Sequence, residues 1–297
     1  MIYFKVLVLN LIIVLLLPVI LLQALWVRKK TAVLPEPDGE RVLTSADSKL
    51  LLTNNILVIG DSAAAGVGAT TQMGALTGLL YSNLVKHGPT RVTLNAKTGF
   101  KSEDVLKLLH EMPAEHFSSV LVSIGVNDVT KFVPLKRWRQ NIDAISTLLS
   151  DKFGCETILF TALPPIHCFP ALPQPLRALL GYRAWLLNQA LADSVTARAN
   201  ADILYVSALN VGGTMTDIQQ SGLMAEDGFH PSTKGYEIWA HSALEKLSTL
   251  YSTTMGTTTQ LCSRKCLKIS EQMKLGHSIN LVTSSTKTKA HSQTVCL

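Results

Sequence analysis

Residues 55–62 read Asn-Ile-Leu-Val-Ile-Gly-Asp-Ser, and this stretch gives the clearest indication of the fold. Its four consecutive apolar side chains are typical of a strand buried on both faces, since a strand with one wet face alternates polar and apolar residues. Glycine, aspartate and serine follow directly, and residues of this kind commonly end a strand. The stretch therefore predicts a parallel strand with polar side chains at its carboxyl end.

The same pattern recurs along the chain. Between the apolar runs lie longer stretches with helical spacing, for example Leu76, Leu79, Leu80 and Leu84. Buried strands that alternate with helices indicate a parallel sheet covered on both faces. We therefore predict a single α/β domain of five parallel strands. Four of these strands follow the first one, at residues 91–95, 119–125, 157–161 and 203–207.

Length and charge exclude several classes of protein. A chain of 297 residues can bury a large core, which excludes a small disulfide-stapled scaffold. The net charge of +6 belongs to the two ends of the chain: residues 1–30 carry +4 and residues 251–297 carry +5. Residues 31–250 hold 17 Lys and Arg against 20 Asp and Glu, a net charge of −3. We therefore expect no nucleic-acid partner.

An apolar segment opens the chain. Val6 to Val27 is a run of 22 residues without a charge, long enough to cross a membrane as a helix. A cleavable secretory signal has a shorter apolar run, of roughly 7–15 residues. We therefore predict that residues 1–30 form a membrane anchor or signal-anchor. Arg28, Lys29 and Lys30 follow the run, so the positive-inside rule favours a cytoplasmic catalytic domain, with a periplasmic or secreted domain as the alternative.

The remaining boundaries follow from composition. Residues 31–48 are polar with two prolines and predict a tether, residues 49–251 the α/β domain, and residues 252–297 a polar, basic, disordered tail. Cys155 and Cys168 have the apolar neighbours of core residues. The tail holds Cys262, Cys266 and Cys296, and the spacing of the first two with His277 matches no common metal site. We expect neither a metal nor a cofactor, and the sequence leaves the oligomeric state open.

The chemistry is expected where the strands end. Ligands of parallel α/β sheets bind beyond the carboxyl ends of the strands. A serine hydroxyl needs a base to remove its proton, and the base needs an acceptor that fixes its tautomer. Ser62, His230 and Asp227 supply these roles, with the acid three residues before the base. The Ser62 N–H, the Gly99 N–H and the Asn127 amide are suitable donors for an oxyanion.

Each motif alone has an ordinary structural interpretation. Gly-Asp-Ser commonly caps a helix, Gly-x-Asn-Asp is a common turn, and Asp-x-x-His before a proline can be another turn. An α/β-hydrolase elbow is disfavoured because Ala64 stands where that motif has glycine. A dinucleotide fingerprint is disfavoured because Gly74 comes too late after Gly66 and Gly68. Four motifs in this order on successive strand ends indicate a catalytic site.

These motifs resemble the four blocks of the SGNH, or GDSL-type, hydrolases, with stretches similar to a bacterial esterase branch. The resemblance covers roughly residues 54–250 and departs from the family pattern at Ala63, where leucine is expected. It implies a flavodoxin-like, three-layer α/β/α fold. It also implies ester hydrolysis through an acyl-enzyme, with Ser62 as nucleophile, Asp227 and His230 as orienter and base, and Ser62, Gly99 and Asn127 as the oxyanion hole.

Several functions remain open on the sequence. The main hypothesis is a membrane-tethered carboxylic ester hydrolase for small-molecule esters with short to medium acyl chains. A glycan O-acetyl esterase, a thioesterase or a lysophospholipase would use the same residues. A noncatalytic membrane-bound interaction module is the alternative of a different class. Leu163 to Trp185, rich in proline and apolar residues, is either part of the wall of the acyl pocket, through Phe169 and Leu172, or a segment that only packs against the sheet edge. His167 has the character of a structural residue.

Overall fold

The computed structural model describes residues 2–45, 54–206 and 222–250 of the chain. In these ranges the strands are β1 Val42–Thr44, β2 Asn54–Gly60, β3 Thr90–Ala96, β4 Ser119–Ser123, β5 Thr157–Thr161 and β6 Ala201–Leu204. The helices are α1 Ile2–Lys30, α2 Ser62–Ala65, α3 Leu76–Leu84, α4 Ser102–Glu111, α5 Val126–Thr130, α6 Leu135–Asp151, α7 Leu176–Thr196 and α8, residues 233–250. Short 3-10 turns occupy Gln72–Gly74 and Ile166–Cys168.

The chain divides into a unit of Met1–Leu247 and a second unit of Ser248–Leu297. Of the second unit, the structure describes only the end of α8. The predicted tail, residues 252–297, therefore lies outside the described residues together with its three cysteines. The predicted boundary between tether and domain also falls outside them, within residues 46–53. The domain limits stay predictions.

The sheet confirms the predicted α/β class. Its strand order is β1-β3-β2-β4-β5-β6, and the five strands from β2 to β6 run parallel. Gly60 at the end of β2 is level with Ala96 of β3 and Ser123 of β4. The carboxyl ends of these neighbouring strands are thus aligned, so the residues that follow them meet at one edge.

A sixth strand lies inside the segment predicted as a tether. β1 pairs antiparallel with β3, with Val42 opposite Thr93. Beside this strand, the Glu36 carboxylate binds Arg41 and accepts hydrogen bonds from the Thr98 N–H and hydroxyl at 2.7 and 2.8 Å. A strand of three residues is too short to show a periodicity, which is why the sequence did not predict it.

Helices cover both faces of the sheet. Alternate strand residues such as Val122 and Phe160 belong to a large apolar cluster with α4, α6 and α7. Trp138 of α6 is fully buried there, and its indole N–H donates to the Leu187 carbonyl at 3.1 Å. Residues of the opposite alternation, such as Leu121 and Leu159, are equally buried on the other face. The architecture is therefore the predicted three-layer arrangement.

The N-terminal helix exists, but the membrane prediction was wrong. Within the described ranges, no helix has both the length and the apolar character needed to cross a membrane. Instead, Ile20 of α1 is buried, and Leu16 and Val27 pack against the core cluster. The Gln23 side chain binds the loop before α7 and the first residue of that helix: its amide N–H donates to the Gln174 carbonyl at 2.5 Å, and its amide oxygen accepts from the Leu176 N–H at 3.1 Å. The predictions of a single-pass anchor and of a catalytic domain on the cytoplasmic side of a membrane are therefore wrong.

Candidate active site

The candidate nucleophile stands on a tight turn between β2 and α2. Gly60, the last residue of β2, has φ +153°, and a Cβ at this position would come within 1.8 Å of the Ser123 carbonyl oxygen. Only glycine therefore allows β2 and β4 to approach this closely. The next residue, Asp61, caps α2 by accepting the Ala63 N–H at 3.1 Å. Ser62 is consequently the first residue of α2, where its own N–H has no acceptor within the helix.

The structure brings Ser62, His230 and Asp227 together. His230 Nε2 lies 2.8 Å from Ser62 Oγ, and His230 Nδ1 lies 2.5 Å from Asp227 Oδ2. The second Asp227 oxygen accepts the backbone N–H groups of Phe229 and His230 at 2.9 and 3.0 Å. Because Nδ1 donates to the carboxylate, Nε2 is free to accept the serine proton. The three residues thus form one continuous hydrogen-bonded chain.

The electrostatics of Asp227 favour its ionised form. Burial by itself raises the pKa of this carboxyl, but the hydrogen bonds from the His230 ring and from the two backbone N–H groups outweigh burial and hold the pKa below its ordinary value. A carboxylate is therefore present next to His230 at neutral pH. It can stabilise the imidazolium that forms when His230 takes a proton.

The three candidate oxyanion donors line one cavity. Gly99 follows β3 with φ +87° and open space above its Cα, so a ligand atom can approach its backbone. The Asn127 amide, in the first turn of α5, donates one hydrogen to the Phe100 carbonyl at 3.0 Å. That bond fixes the orientation of the amide and leaves its second N–H for another acceptor. Ser62, Gly99 and Asn127 all contribute to the wall of this cavity.

A buried polar network connects the two oxyanion segments, and the sequence predicted only part of it. Asp128 is completely buried and accepts the Ser102 hydroxyl at 2.6 Å and the Ser102 N–H at 3.0 Å. The Asn141 amide donates to the Ser102 hydroxyl at 2.8 Å. Asp128 was recognised from the Gly-x-Asn-Asp motif, whereas Ser102 and Asn141 carry no motif of their own. The network ties the start of α4, just after Gly99, to α5.

Tyr236 is a further residue that sequence reasoning missed. It is fully buried on α8, and its hydroxyl lies 3.0 Å from the Ala63 carbonyl and 2.8 Å from the Val67 carbonyl. Burial, with the charges of Asp61 and Asp227, raises the pKa of Tyr236 well above 10, so the hydroxyl keeps its proton and donates. It therefore connects the helix that follows His230 to the turn that carries Ser62.

The cavity beside Ser62 has a volume of about 330 Å³ and a largely apolar wall. The proline-rich loop contributes Leu163, Pro164, Pro165 and Phe169, as predicted for Phe169. Leu172 is buried in the core cluster instead and is absent from the wall. Phe169 meets Phe229 edge to face at 5.9 Å between ring centroids. The loop thus shapes the cavity through its first half only.

Nowhere in residues 2–45, 54–206 and 222–250 do three or more His, Cys, Asp or Glu side chains converge on a point suited to a metal ion. Cys155 and Cys168 are free thiols. Cys262, Cys266 and His277 lie outside the described residues.

A family model shows the family of the chain, and the solved structures similar to it share its fold. A model of the GDSL-like lipase/acylhydrolase family matches residues 58–238, more than half of the chain and all four motifs. No curated protein matches the chain. Among solved structures, the psychrotrophic esterase EstA from Pseudoalteromonas sp. is 18% identical, with a TM-score of 0.50 over 67% of this chain and 99% of its own. An alpha/beta hydrolase enzyme from the metagenome of Lake Arreo, Spain, is 15% identical, with a TM-score of 0.51 over 68% and 98%.

Proposed function

The chain belongs to the GDSL-like lipase/acylhydrolase family and is a hydrolase of ester substrates, and from this premise we propose a specific chemistry for it. The enzyme is a serine carboxylic ester hydrolase that cleaves short- to medium-chain acyl esters through an acyl-enzyme. One observation carries the proposal: the hydrogen-bonded chain from Asp227 through His230 to Ser62, placed in the wall of an apolar cavity.

In the first half of the reaction, Ser62 Oγ attacks the ester carbonyl carbon while His230 Nε2 accepts the hydroxyl proton. Asp227 stabilises the resulting imidazolium through the bond to Nδ1. The tetrahedral intermediate then collapses, and His230 returns the proton to the leaving alcohol. In the second half, a water molecule loses its proton to His230 and attacks the acyl-serine, which releases the acid and restores the Ser62 hydroxyl.

The negative oxygen of the intermediate is stabilised by donors that are already in place. The Ser62 N–H at the start of α2, the Gly99 N–H and the free amide hydrogen of Asn127 supply three such donors. Donors held by the protein need no reorganisation when charge develops, and removal of one typically lowers kcat about 10²- to 10³-fold. The Phe100 carbonyl keeps the Asn127 amide in the required orientation.

The size of the cavity supports the proposed substrate range. A volume of about 330 Å³ is near the lower end of small-molecule cavities, which span about 300–1,000 Å³. Leu163, Phe169 and Phe229 provide apolar contacts for an acyl chain. Such a space suits one short or medium acyl chain.

The test compares the wild type with Ser62→Ala on a panel of acyl esters of increasing chain length, glycan acetates and thioesters. We expect hydrolysis of the shorter acyl esters by the wild type and its loss in Ser62→Ala, because Ser62 is the one hydroxyl of the described residues that is bonded to His230 Nε2. A fluorophosphonate should label the wild type only. The EstA comparison structure is of an enzyme inhibited by monoethylphosphonate, which supports the choice of a phosphonate probe.

Ser82→Ala is the matched control, because Ser82 lies on α3 with its hydroxyl bonded to the Gly78 carbonyl at 2.8 Å, away from the cavity. It should keep both activity and labelling. Acid quenching during turnover followed by intact-mass measurement should reveal an acyl adduct on the wild type. Labelling or turnover retained by Ser62→Ala contradicts the assignment, and so does an inactive wild type.

A further inference from the structure

The turn that carries Gly99 depends on hydrogen bonds more than on packing. It spans residues 97–100 and is closed by the Phe100 N–H, which donates to the Lys97 carbonyl at 3.2 Å. Its two central residues, Thr98 and Gly99, are exposed to solvent, so buried contacts do little to hold them. Gly99 has a φ of +87° while Thr98 has no positive φ, which is the pattern of a type II turn.

Glycine makes such a turn easy to rearrange. Because glycine adopts either sign of φ at no steric cost, the peptide bond between Thr98 and Gly99 can rotate and convert a type II turn into a type I turn. That rotation reverses the direction of the Gly99 N–H. A donor stabilises an oxyanion best when it is already aimed at the place where the charge develops. The direction of this N–H therefore has to be fixed by partners outside the turn.

Three of the four N–H groups of the turn are bound in the described structure. One bond closes the turn itself, and the Lys97 N–H donates to the Gly60 carbonyl at 3.3 Å. The Thr98 N–H donates to the Glu36 carboxylate at 2.7 Å. The fourth, the Gly99 N–H, has no acceptor among the described residues, and Gly99 lines the active-site cavity. The bonds thus hold the turn and leave one donor for the substrate.

Glu36 reaches the turn from a segment that is itself tied to the sheet. One carboxylate oxygen accepts both the N–H and the hydroxyl of Thr98, at 2.7 and 2.8 Å. The other oxygen accepts from the Arg41 guanidinium at 2.8 Å. The same guanidinium donates to the carbonyl of Ala96, the last residue of β3, at 2.9 Å. Arg41 therefore fixes Glu36 relative to the strand from which the turn emerges.

We propose that Glu36 is a positioning residue for the oxyanion hole. Its carboxylate, held by Arg41, fixes Thr98 and thereby keeps the Gly99 N–H directed into the cavity before substrate enters. The inference rests on the proposed esterase function. Glu36 is not part of the cavity wall, so it acts on the reaction only through the turn.

The experiment measures kcat and KM of the wild type, Glu36→Ala and Glu36→Gln on the best acyl ester. We expect Glu36→Ala to lower kcat about tenfold with little change in KM. Complete removal of an oxyanion donor lowers kcat about 10²- to 10³-fold, and a loosened donor is misdirected only part of the time. Glu36→Gln keeps an oxygen acceptor for Thr98 and should recover most of the lost kcat.

A trifluoromethyl ketone tests the oxyanion hole directly. Ser62 Oγ adds to the ketone carbon while its proton passes to His230, and the adduct carries an oxyanion like that of the tetrahedral intermediate. Its inhibition constant should rise about tenfold in Glu36→Ala, in parallel with the fall in kcat, and much less in Glu36→Gln. A purely structural role of Glu36 would not produce this parallel.

Glu115→Ala is the matched control. Glu115 pairs with Arg91 at 2.6 Å at the opposite, amino end of β3, and its side chain is 37% exposed, against 31% for Glu36. It should keep the wild-type kcat and inhibition constant. Thr98→Val, which removes only the hydroxyl bond to Glu36, takes the place of Glu36→Ala if that variant does not fold, and should lower kcat about threefold.

An unchanged kcat in Glu36→Ala, or in Thr98→Val where it takes its place, overturns the inference. A change confined to KM, an equal fall of kcat in Glu115→Ala, or a Glu36→Gln variant as slow as Glu36→Ala also overturns it. Wild-type turnover that is lost in Ser62→Ala upholds the proposed function whatever the Glu36 variants do. An inactive wild type overturns both.

Discussion

Asp61 and Asp227 are two buried carboxyls on opposite sides of the candidate active site, and their pKa values shift in opposite directions. Asp61, on the turn before Ser62, is 2% exposed, and burial raises its pKa to about 7 despite the bond from the Ala63 N–H. Asp227, on the loop before His230, is 6% exposed. There burial is outweighed by the His230 ring and two backbone N–H groups, and the pKa is lowered.

The difference shows that burial alone does not decide the charge of a carboxyl. Asp61 receives one backbone N–H in the described structure, whereas Asp227 receives two and a direct bond from a histidine ring. Hydrogen bonds to the charged form favour ionisation, while removal from water opposes it. The nucleophile turn therefore carries a carboxyl that is easily protonated, and the base loop carries one that stays ionised.

The largest expected effect follows from replacing Asp227, the carboxyl that stays ionised. Asp227→Asn should lower kcat by about 10⁴-fold, because an amide neither carries the charge nor enforces the tautomer in which Nε2 accepts from Ser62. The measurement is steady-state hydrolysis of the best acyl ester. Asp202→Asn is the control, since Asp202 pairs with Lys246 at 2.7 Å outside the cavity. A loss of less than tenfold in Asp227→Asn contradicts the role assigned to the carboxylate.

The raised pKa of Asp61 predicts an effect on stability. The folded-state pKa of Asp61, about 7, exceeds the ordinary value of 3.8. Between pH 3.8 and pH 7 the folded protein therefore keeps a proton on Asp61 that the unfolded chain has lost. The Asp61 contribution to the free energy of unfolding is full below pH 3.8 and falls by about 1.4 kcal/mol per pH unit up to pH 7. Asp61→Asn, which still caps α2, should remove this slope.

Urea unfolding at several pH values between 4 and 8 measures the difference in the free energy of unfolding between the wild type and Asp61→Asn. It should grow in favour of Asp61→Asn up to pH 7 and then level off. Asp227→Asn tests the opposite sign, and its comparison with the wild type is extended below pH 4: the lowered pKa of Asp227 contributes stability that is full above its ordinary pKa of 3.8 and is lost as the pH falls through the folded value. Parallel curves for the wild type and Asp61→Asn would mean that burial does not dominate at Asp61.

The smallest effect is expected from the residue that connects the two regions. Tyr236→Phe keeps the buried ring but removes the hydroxyl bonded to Ala63 and Val67, so Ser62 is held less firmly against His230. We expect kcat to fall about tenfold with little change in KM, since the cavity keeps its shape. Tyr182→Phe is the control because Tyr182 is exposed. An unchanged kcat, or a change confined to KM, rules out the positioning role.

Much of the fold was predictable because its signals are local. The parallel strands are continuous apolar runs, and the order of strands and helices along the chain indicates the class. The family resemblance is confirmed by the match over residues 58–238. β1 was missed because three residues show no periodicity, although its pairing with β3 completes the edge of the sheet.

The N-terminal helix shows where local signals mislead. Its charge-free run is the same whether the helix faces lipid or lies against protein. In the structure Ile20 is buried and Gln23 binds the loop before α7, contacts that depend on residues about 150 positions away. A hydropathy pattern does not contain such partners.

The sequence alone predicts the α/β class, the strand-end motifs and the meeting of Ser62, Asp227 and His230, because residues after parallel strands share one edge. The folded structure adds three features: the opposite pKa shifts of Asp61 and Asp227, the Asp128–Ser102–Asn141 network, and the hydrogen bonds of Tyr236 to the turn that carries Ser62. Desolvation and hydrogen bonding depend on atoms brought close by folding, which spacing along the chain does not record.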